Sequence, residues 1–354
     1  MMNDSEATET APEAAPKPRR RKGMSLTLRD VARMANVAPI TASRALNTPQ
    51  AVSDDILHRV REAVERTGYV PNLLAGGLAS RRSRLVAAVV PTVAGSVFLE
   101  TVEALTDTLA AAGYQMMLGQ SGYAGSREDA LLETIIARRP DGVILTGIMH
   151  SQLARRRLAA SGIPVVETWD LSPNPLDMLV GFSHEQLGAA VAHFLHRRGR
   201  RRVAAITADD ERARRRRGAF ATAALSLGMS AGPELPQHTV PAPSSVASGR
   251  EGLRALLARA PGIDAIFCSS DMVALGVLIE AQALGIAVPA QLAIVGMGDL
   301  ALSRDLQPAL TTVRIDGTLI GDTAARYIIQ RAEGKTVAQP IRDVGFTIVE
   351  RGTT

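Results

Sequence analysis

Seven short apolar, β-prone runs separated mostly by helical stretches are the strongest constraint on how this chain can fold. They are LVAAVVP (85–91), YQMMLGQ (114–120), GVILTGI (142–148), IPVVETW (163–169), RRVAAIT (201–207), DAIFCSS (264–270) and LAIVGMG (292–298). Strand–helix alternation of this kind gives crossover units, and crossover units give parallel sheets. About 270 residues with this many strands are better housed in two α/β lobes than in one. The chain has 354 residues, 46% of them hydrophobic, which excludes a disordered body. No apolar run approaches the roughly 18–20 residues of a membrane helix. The opening MMNDSEATETAPEAAPKPRRRKG lacks the apolar core of a signal peptide, so a cytoplasmic location is expected. Cys268 is the only cysteine and no Cys/His set has zinc spacing, so neither a metal nor a cofactor is expected.

The N-terminal end has a different texture. Residues 25–82 carry eight Arg against five Asp/Glu, a net +3, and residues 1–24 add +1, out of +5 for the whole chain. A basic end on a nearly neutral body suggests a polyanion partner there. Residues 1–24, which end in the basic cluster Lys17-Pro-Arg-Arg-Arg-Lys22, read as a disordered arm. Between 25 and 70 three short helices are expected. Thr27 caps a helix with Leu28, Val31, Ala32 and Ala35 on its apolar side, and Asn36-Val37-Ala38 makes a turn. Pro39 then opens a second helix that turns Ala42, Ala45 and Leu46 inward and leaves Ile40, Thr41, Ser43, Arg44 and Asn47 toward solvent. Ser53 starts a third helix with an Ile56, Val60, Ala63, Val64 stripe, which Gly68 stops. Small residues at 32, 35 and 42 let two helices cross closely, the spacing of a helix-turn-helix that presents its second helix to the DNA major groove. An ordinary helical hairpin has the same periodicity.

The blocks T-L-x-D-V-A (27–32), T-x-S-R-x-L-N (41–47) and Y-x-P-N-x-x-A-x-x-L (69–78) stand in this order ahead of the α/β body. Together they closely resemble the lactose-repressor (LacI/GalR) family of bacterial transcription regulators, over nearly the whole chain from Leu26 to about Ile348. The resemblance implies an all-α helix-turn-helix domain at 25–70, a hinge helix at 71–82, and a two-lobed effector-binding and dimerisation domain of periplasmic-binding-protein type at 83–354. Lobe 1 is then expected at about 83–182 plus 314–340, and lobe 2 at about 183–313 plus 341–354. By position, Pro39, Ile40 and Arg44 would read base edges, with Arg44 able to bond guanine bidentately. Thr27, Thr41, Ser43 and Asn47 would contact phosphates or brace the helix. Asn72, Ala75 and Leu78 match the hinge, where a leucine from each subunit wedges into the minor groove. Two departures stand out. Ala38 replaces the usual Ser/Thr cap, and Gly76-Gly77 weaken the hinge helix.

The body most resembles the gluconate-repressor branch, through GYQMMLGQSGY (113–123), RRPDGVILTG (138–147), GIPVVETWD (162–170), VGFSHEQLGAA (180–190) and DVGFTIVERG (343–352). That resemblance implies a small sugar acid as effector, gluconate or a relative, possibly phosphorylated, and hence a cation in the cleft. The family's pocket arginine falls on Arg216 if Ala219-Phe220 takes the place of its G-F pair, with neighbours in Arg214–Arg217 as one-residue alternatives. Ser270 and Asp271 match a turn that meets ligand hydroxyls. Thr146, Glu167 and Trp169 end strands of the first lobe, where open α/β sheets bind ligands. Trp169 fits the lobe core equally well. Phe98 and Tyr123 are candidates to stack on the ligand, and His150 and His184 read as surface or structural residues. Gly298 stands where many sugar binders of the family have an aspartate, with Asp299 one residue late. The expected protein is a homodimeric, nucleoid-associated repressor that binds double-stranded palindromic operator DNA and is released by its effector. A corepressor-dependent repressor or an activator is the alternative within the class. A sugar-binding protein lacks a use for residues 26–82, and no dinucleotide, phosphate-loop or nucleophile-elbow motif supports an enzyme.

Overall fold

The computed structural model describes residues 26–70, 82–93, 97–123, 125–148, 150–230 and 232–354. It forms two compact units, one within residues 1–79 and one within 80–354. The expected arm (1–24) and the hinge positions Asn72, Ala75 and Leu78 lie outside the described residues.

In the first unit, α1 (Leu28–Met34), α2 (Pro39–Asn47) and α3 (Asp54–Thr67) pack around Val31, Ala32, Ala35, Ala42, Ala45, Val60 and Ala63. These side chains are small, so the helices approach closely. At the start of α1 the Thr27 backbone N–H and hydroxyl both donate to the Asp30 carboxylate, at 3.0 and 2.7 Å. Asn36 adopts a left-handed conformation (φ 51°) to turn the chain, a geometry asparagine tolerates better than most residues. Pro39 occupies the first turn of α2, and Ala38 provides no side-chain cap. Gly68 (φ 65°) ends α3, its N–H donating to the Val64 carbonyl at 2.9 Å. Any Cβ at that φ would be strained.

The second unit builds two six-stranded sheets. One runs β11 (Ile341–Asp343), β5 (Met178–Gly181), β4 (Val165–Thr168), β3 (Gly142–Thr146), β1 (Leu85–Val90), β2 (Gln115–Gln120), all parallel. The other runs β12 (Thr347–Val349), β10 (Thr311–Arg314), β9 (Ala293–Met297), β8 (Ala265–Cys268), β6 (Val203–Ala208), β7 (Gln237–Val240), parallel except for antiparallel β12. The intervening helices are α4 (Leu99–Ala111), α5 (Gly125–Ala137), α6 (Gln152–Ser161), α7 (His184–Arg197), α8 (Glu211–Ser226), α9 (Val246–Arg259), α10 (Asp271–Ala283) and α11 (Gly317–Ala332). Every residue of β4, β5, β6, β8 and β9 is buried. Strands covered on both faces read as continuous apolar runs, and all seven runs in the sequence became strands.

The chain passes between the sheets after Phe182 and again between Arg314 and Gly317. The third passage corrects the expected lobe boundary. Residues 341–343 pair in parallel with β5 and so belong to the first lobe, and the chain crosses at 344–346 instead of at 340. Backbone hydrogen bonding to an otherwise open sheet edge holds those three exposed residues there.

Candidate functional site

The first unit exposes one face of α2. Ile40 is 63% exposed, and Pro39 and Arg44 are exposed beside it. Arg44 makes no hydrogen bond or ion pair among the described residues, so its guanidinium fork is free to meet an external acceptor. Thr41 and Ser43 are half-buried. The Asn47 amide donates to the Ser43 carbonyl at 3.0 Å and to its hydroxyl at 3.3 Å. Asn47 therefore braces the last turn of α2.

In the second unit a cleft of about 580 Å³ of atom-free space, part of it open to solvent, lies at the carboxyl ends of strands from both sheets. That is where ligands of open α/β sheets bind. The structure brings Phe98, Tyr123, Trp169, Arg216 and Ser270 together on its wall, with Val97, His184, Ala208, Asp210, Arg212, Ser244, Ser269 and Met297. Thr146 lines an adjoining recess that shares Tyr123, Asp210 and Arg212 with the cleft and also holds His150 and Glu128.

Helix α8 supplies the charge. Asp210 caps it, accepting from the Ala213 N–H at 3.0 Å. One turn apart, Arg212 and Arg216 face the cleft. The other arginines of the run are committed elsewhere: Arg214 to Asp209 and Glu211, Arg215 to Asp170 and Glu185, Arg217 to Thr239. Arg216 is 7% exposed, and burial lowers its pKa to about 10, so it stays charged at neutral pH. Its Nε and the Nη1 of Arg212 are buried without a hydrogen-bond partner among the described residues. Unpaired buried donors are costly, so these two are poised for an acceptor from outside the chain. Arg212 also sits over the Phe98 ring, 5.5 Å from its centroid.

Trp169 forms both lobe core and cleft wall. It is 3% exposed, packs edge-on against Phe98 (5.0 Å) and Phe182 (6.0 Å), and donates its Nε1–H to Thr101 Oγ1 at 3.0 Å. Its indole N–H is therefore already used. Ser270 caps α10 and lies 3.3 Å from the Ser244 hydroxyl. The Ser269 hydroxyl accepts from the Ala208 N–H at 2.9 Å.

Two expected residues do not reach the cleft. Glu167 is fully buried, accepts from the Leu176 N–H at 2.6 Å and faces His150 and Arg155, so it fastens a loop of the first lobe. Burial raises its pKa. Asp271 is also buried. It accepts from Thr312 Oγ1 (2.5 Å), Ser303 Oγ (2.6 Å) and the Leu300 N–H (2.9 Å), which ties α10 to the segments around β10. Asp299 is likewise spent, on Arg351 at 2.6 Å and Arg314 at 3.6 Å.

His184, read from sequence as surface or structural, lines the cleft instead. Arg216 Nη1 lies 3.1 Å from its Nδ1, and its Nε2 lies 3.1 Å from the Trp169 carbonyl oxygen. Arginine can only donate. Nδ1 is therefore the acceptor, and the neutral ring carries its proton on Nε2 toward Trp169. Burial, reinforced by Arg216, Arg212 and Arg215, holds its pKa well below the usual histidine value. The Arg212/Arg216 spacing was visible in the sequence as an i, i+4 pair on one helical face, whereas nothing local marked His184. The His150 side chain is buried as well, its Nδ1 2.5 Å from Glu128 Oε1.

Comparison with known proteins fits both units. The family model described as bacterial regulatory proteins, lacI family, matches residues 27–72, and a periplasmic binding protein-like domain matches 192–354. An HTH-type transcriptional regulator named GntR from Pseudomonas aeruginosa is 39% identical over 93% of this chain and 95% of its own length. The chain belongs to the LacI family of bacterial regulatory proteins. The GntR of Escherichia coli K12 is 30% identical, over 92% of this chain and 98% of its own. A solved LacI family regulator from Silicibacter pomeroyi superposes with a TM-score of 0.86 at 34% identity, over 93% of this chain and 99% of the other. As a LacI family member the chain is a DNA-binding transcriptional regulator and not an enzyme. No helix among the described residues is long and apolar enough to cross a membrane.

Proposed function

We propose that this regulator represses transcription as a cytoplasmic homodimer on a palindromic operator, and that a small sugar acid, gluconate or a close relative, releases it. The observation that carries the effector reading is the Arg212–Arg216 pair, with buried unpartnered donors turned into an interlobe cleft. With Asp210 beside them and His184 neutral, the cleft holds a net charge near +1, which suits one carboxylate better than a phosphate dianion. Ser244, Ser269 and Ser270 offer hydroxyls to a polyol, and Phe98, Trp169 and Met297 provide apolar surface. The similarity to regulators named GntR supports the same branch.

On the DNA side, Pro39, Ile40 and Arg44 read base edges while Thr27, Thr41, Ser43 and Asn47 contact phosphates or brace the helix. Residues 71–82, with Asn72, Ala75 and Leu78, form the hinge between the DNA-binding domain and the effector domain. Two-fold symmetry of the dimer dictates the palindrome. Fluorescence anisotropy on DNA upstream of the chain's own gene, at fixed salt, tests the reading. Addition of gluconate should weaken binding about tenfold or more, a coupling of about 1.4 kcal/mol. Tight binding indifferent to gluconate would refute the sugar-acid assignment.

A further inference from the structure

Two consecutive arginines of α8 hold two consecutive residues of the first lobe. Arg215 binds the Asp170 carboxylate directly, with Nη1 2.8 Å from both oxygens. Arg216 reaches Trp169 through one intermediary, His184. Both arginines belong to the second lobe, and Trp169 and Asp170 follow β4 of the first.

We infer that His184 is a positioning residue that relays the state of the effector arginine, Arg216, to Trp169 in the opposite lobe. The inference rests on the effector reading above and adds to it the path by which occupancy of the cleft is felt across the lobes. Among the described residues Arg216 has only its Nη1 bond to His184 and a long 3.5 Å contact from Nη2 to the Ser269 carbonyl. An anion seated against its free Nε draws the guanidinium and so loads or releases the His184 ring. At the other end of that ring is the carbonyl of Trp169, a bulky residue held at φ 65°. Such a conformation persists only where surrounding contacts enforce it, and here they include the bond from the Trp169 N–H to the Val180 carbonyl at 3.2 Å, the His184 bond, the Thr101 bond and the packing of Phe98 and Phe182. Loss of one contact allows the segment to relax. The ring has little freedom of its own: Phe182 packs against it at 4.7 Å, and α7 and α8 meet at Gly188, where a Cβ would lie 2.2 Å from the Arg216 carbonyl. The charged groups facing it are Arg216, Arg212, Arg215 and Asp170, whose Oδ2 is 3.8 Å from Nε2.

Two substitutions cut the relay at opposite ends. In His184→Asn the amide oxygen takes the place of Nδ1 and can accept from Arg216, while nothing reaches Trp169. In His184→Gln the amide nitrogen takes the place of Nε2 and can donate to Trp169, while Arg216 loses its acceptor. Using the full chain with gluconate as probe, calorimetry reads binding and operator anisotropy reads release. Intrinsic emission reads Trp169 alone, the only tryptophan in the sequence. For His184→Asn, operator release measured at saturating gluconate, so that any change in affinity drops out, should fall from about tenfold to about twofold or less. The gluconate-induced change in emission should disappear with it. For His184→Gln, gluconate affinity should fall by about tenfold, with the emission change retained at saturation. Equal loss of binding and release in both variants, no effect in either, or loss of fold in both by circular dichroism would overturn the relay. A parent protein that releases DNA to no sugar acid and binds no gluconate would overturn both the effector reading and the relay.

Discussion

At the scale of single residues, the site divides into groups left free for a partner and groups already committed. Arg44 is free, and Arg44→Ala should remove about 1–3 kcal/mol of preference for the cognate operator over scrambled DNA, measured by competition anisotropy. Equal loss on both DNAs would make it a phosphate contact. Asp271 is committed, with three donors on its carboxylate. Asp271→Ala strands buried donors at about 1–3 kcal/mol for an unsatisfied group, so it should lower the melting temperature while folded protein keeps its gluconate affinity. Loss of affinity without loss of stability would return Asp271 to the ligand. His184 gives a pH signature. Its folded-state pKa is depressed, so the unfolded chain binds more protons, and the stability it contributes is complete above about pH 6.5 and lost as pH falls below that value. Asp170 and Glu167, raised by burial, act in the opposite direction. Melting curves of the parent and His184→Asn over this range should therefore differ in slope, with the variant flatter. Parallel slopes would mean that His184 does not titrate as described. The sequence made Arg216 legible because it fell in a family register, and the structure explains why its neighbours were poor alternatives: 100° of helical rotation sends each to a different partner. Glu167 and Asp271 misled because strand ends and turns place backbones near a cleft without fixing which way a carboxylate points.

At the scale of elements, periodicity carried far. Runs such as VAAITA and AIVGM are buried on both faces and cannot be anything but central strands once helices flank them. The short strands at 178–181, 237–240, 311–314, 341–343 and 347–349 were less legible. Three or four residues hold too little pattern, and Ile341–Asp343 is exposed throughout, so only pairing with β5 defines it. A lobe boundary expected at 340 therefore falls three residues short of the end of β11. The α7–α8 crossing is the element contact on which the site depends most. Gly188 stands against the α8 backbone, with a Cβ position 2.2 Å from the Arg216 carbonyl and 3.0 Å from the Phe220 nitrogen. Gly188→Ala must push α8 away, a cost of about 1–3 kcal/mol for overpacking. It should both lower the melting temperature and weaken gluconate binding, because Arg212 and Arg216 move with the helix. A normal calorimetric titration in a destabilised variant would show that the helix shifts without carrying the site.

At the scale of the whole molecule, a DNA-reading unit and a two-lobed sensor on one chain make a regulator only if their ligands affect each other. Linkage requires the effect to be reciprocal: whatever factor gluconate takes from operator affinity, operator must take from gluconate affinity. The central claim is that the effector enters this linkage through an anion held by α8. Release of operator DNA by gluconate in Arg216→Ala, followed by anisotropy at fixed salt beside the parent, tests it most directly. The variant should bind operator as tightly as the parent and fail to release it at gluconate concentrations that empty the parent. Release at the parent's gluconate concentration would contradict the account.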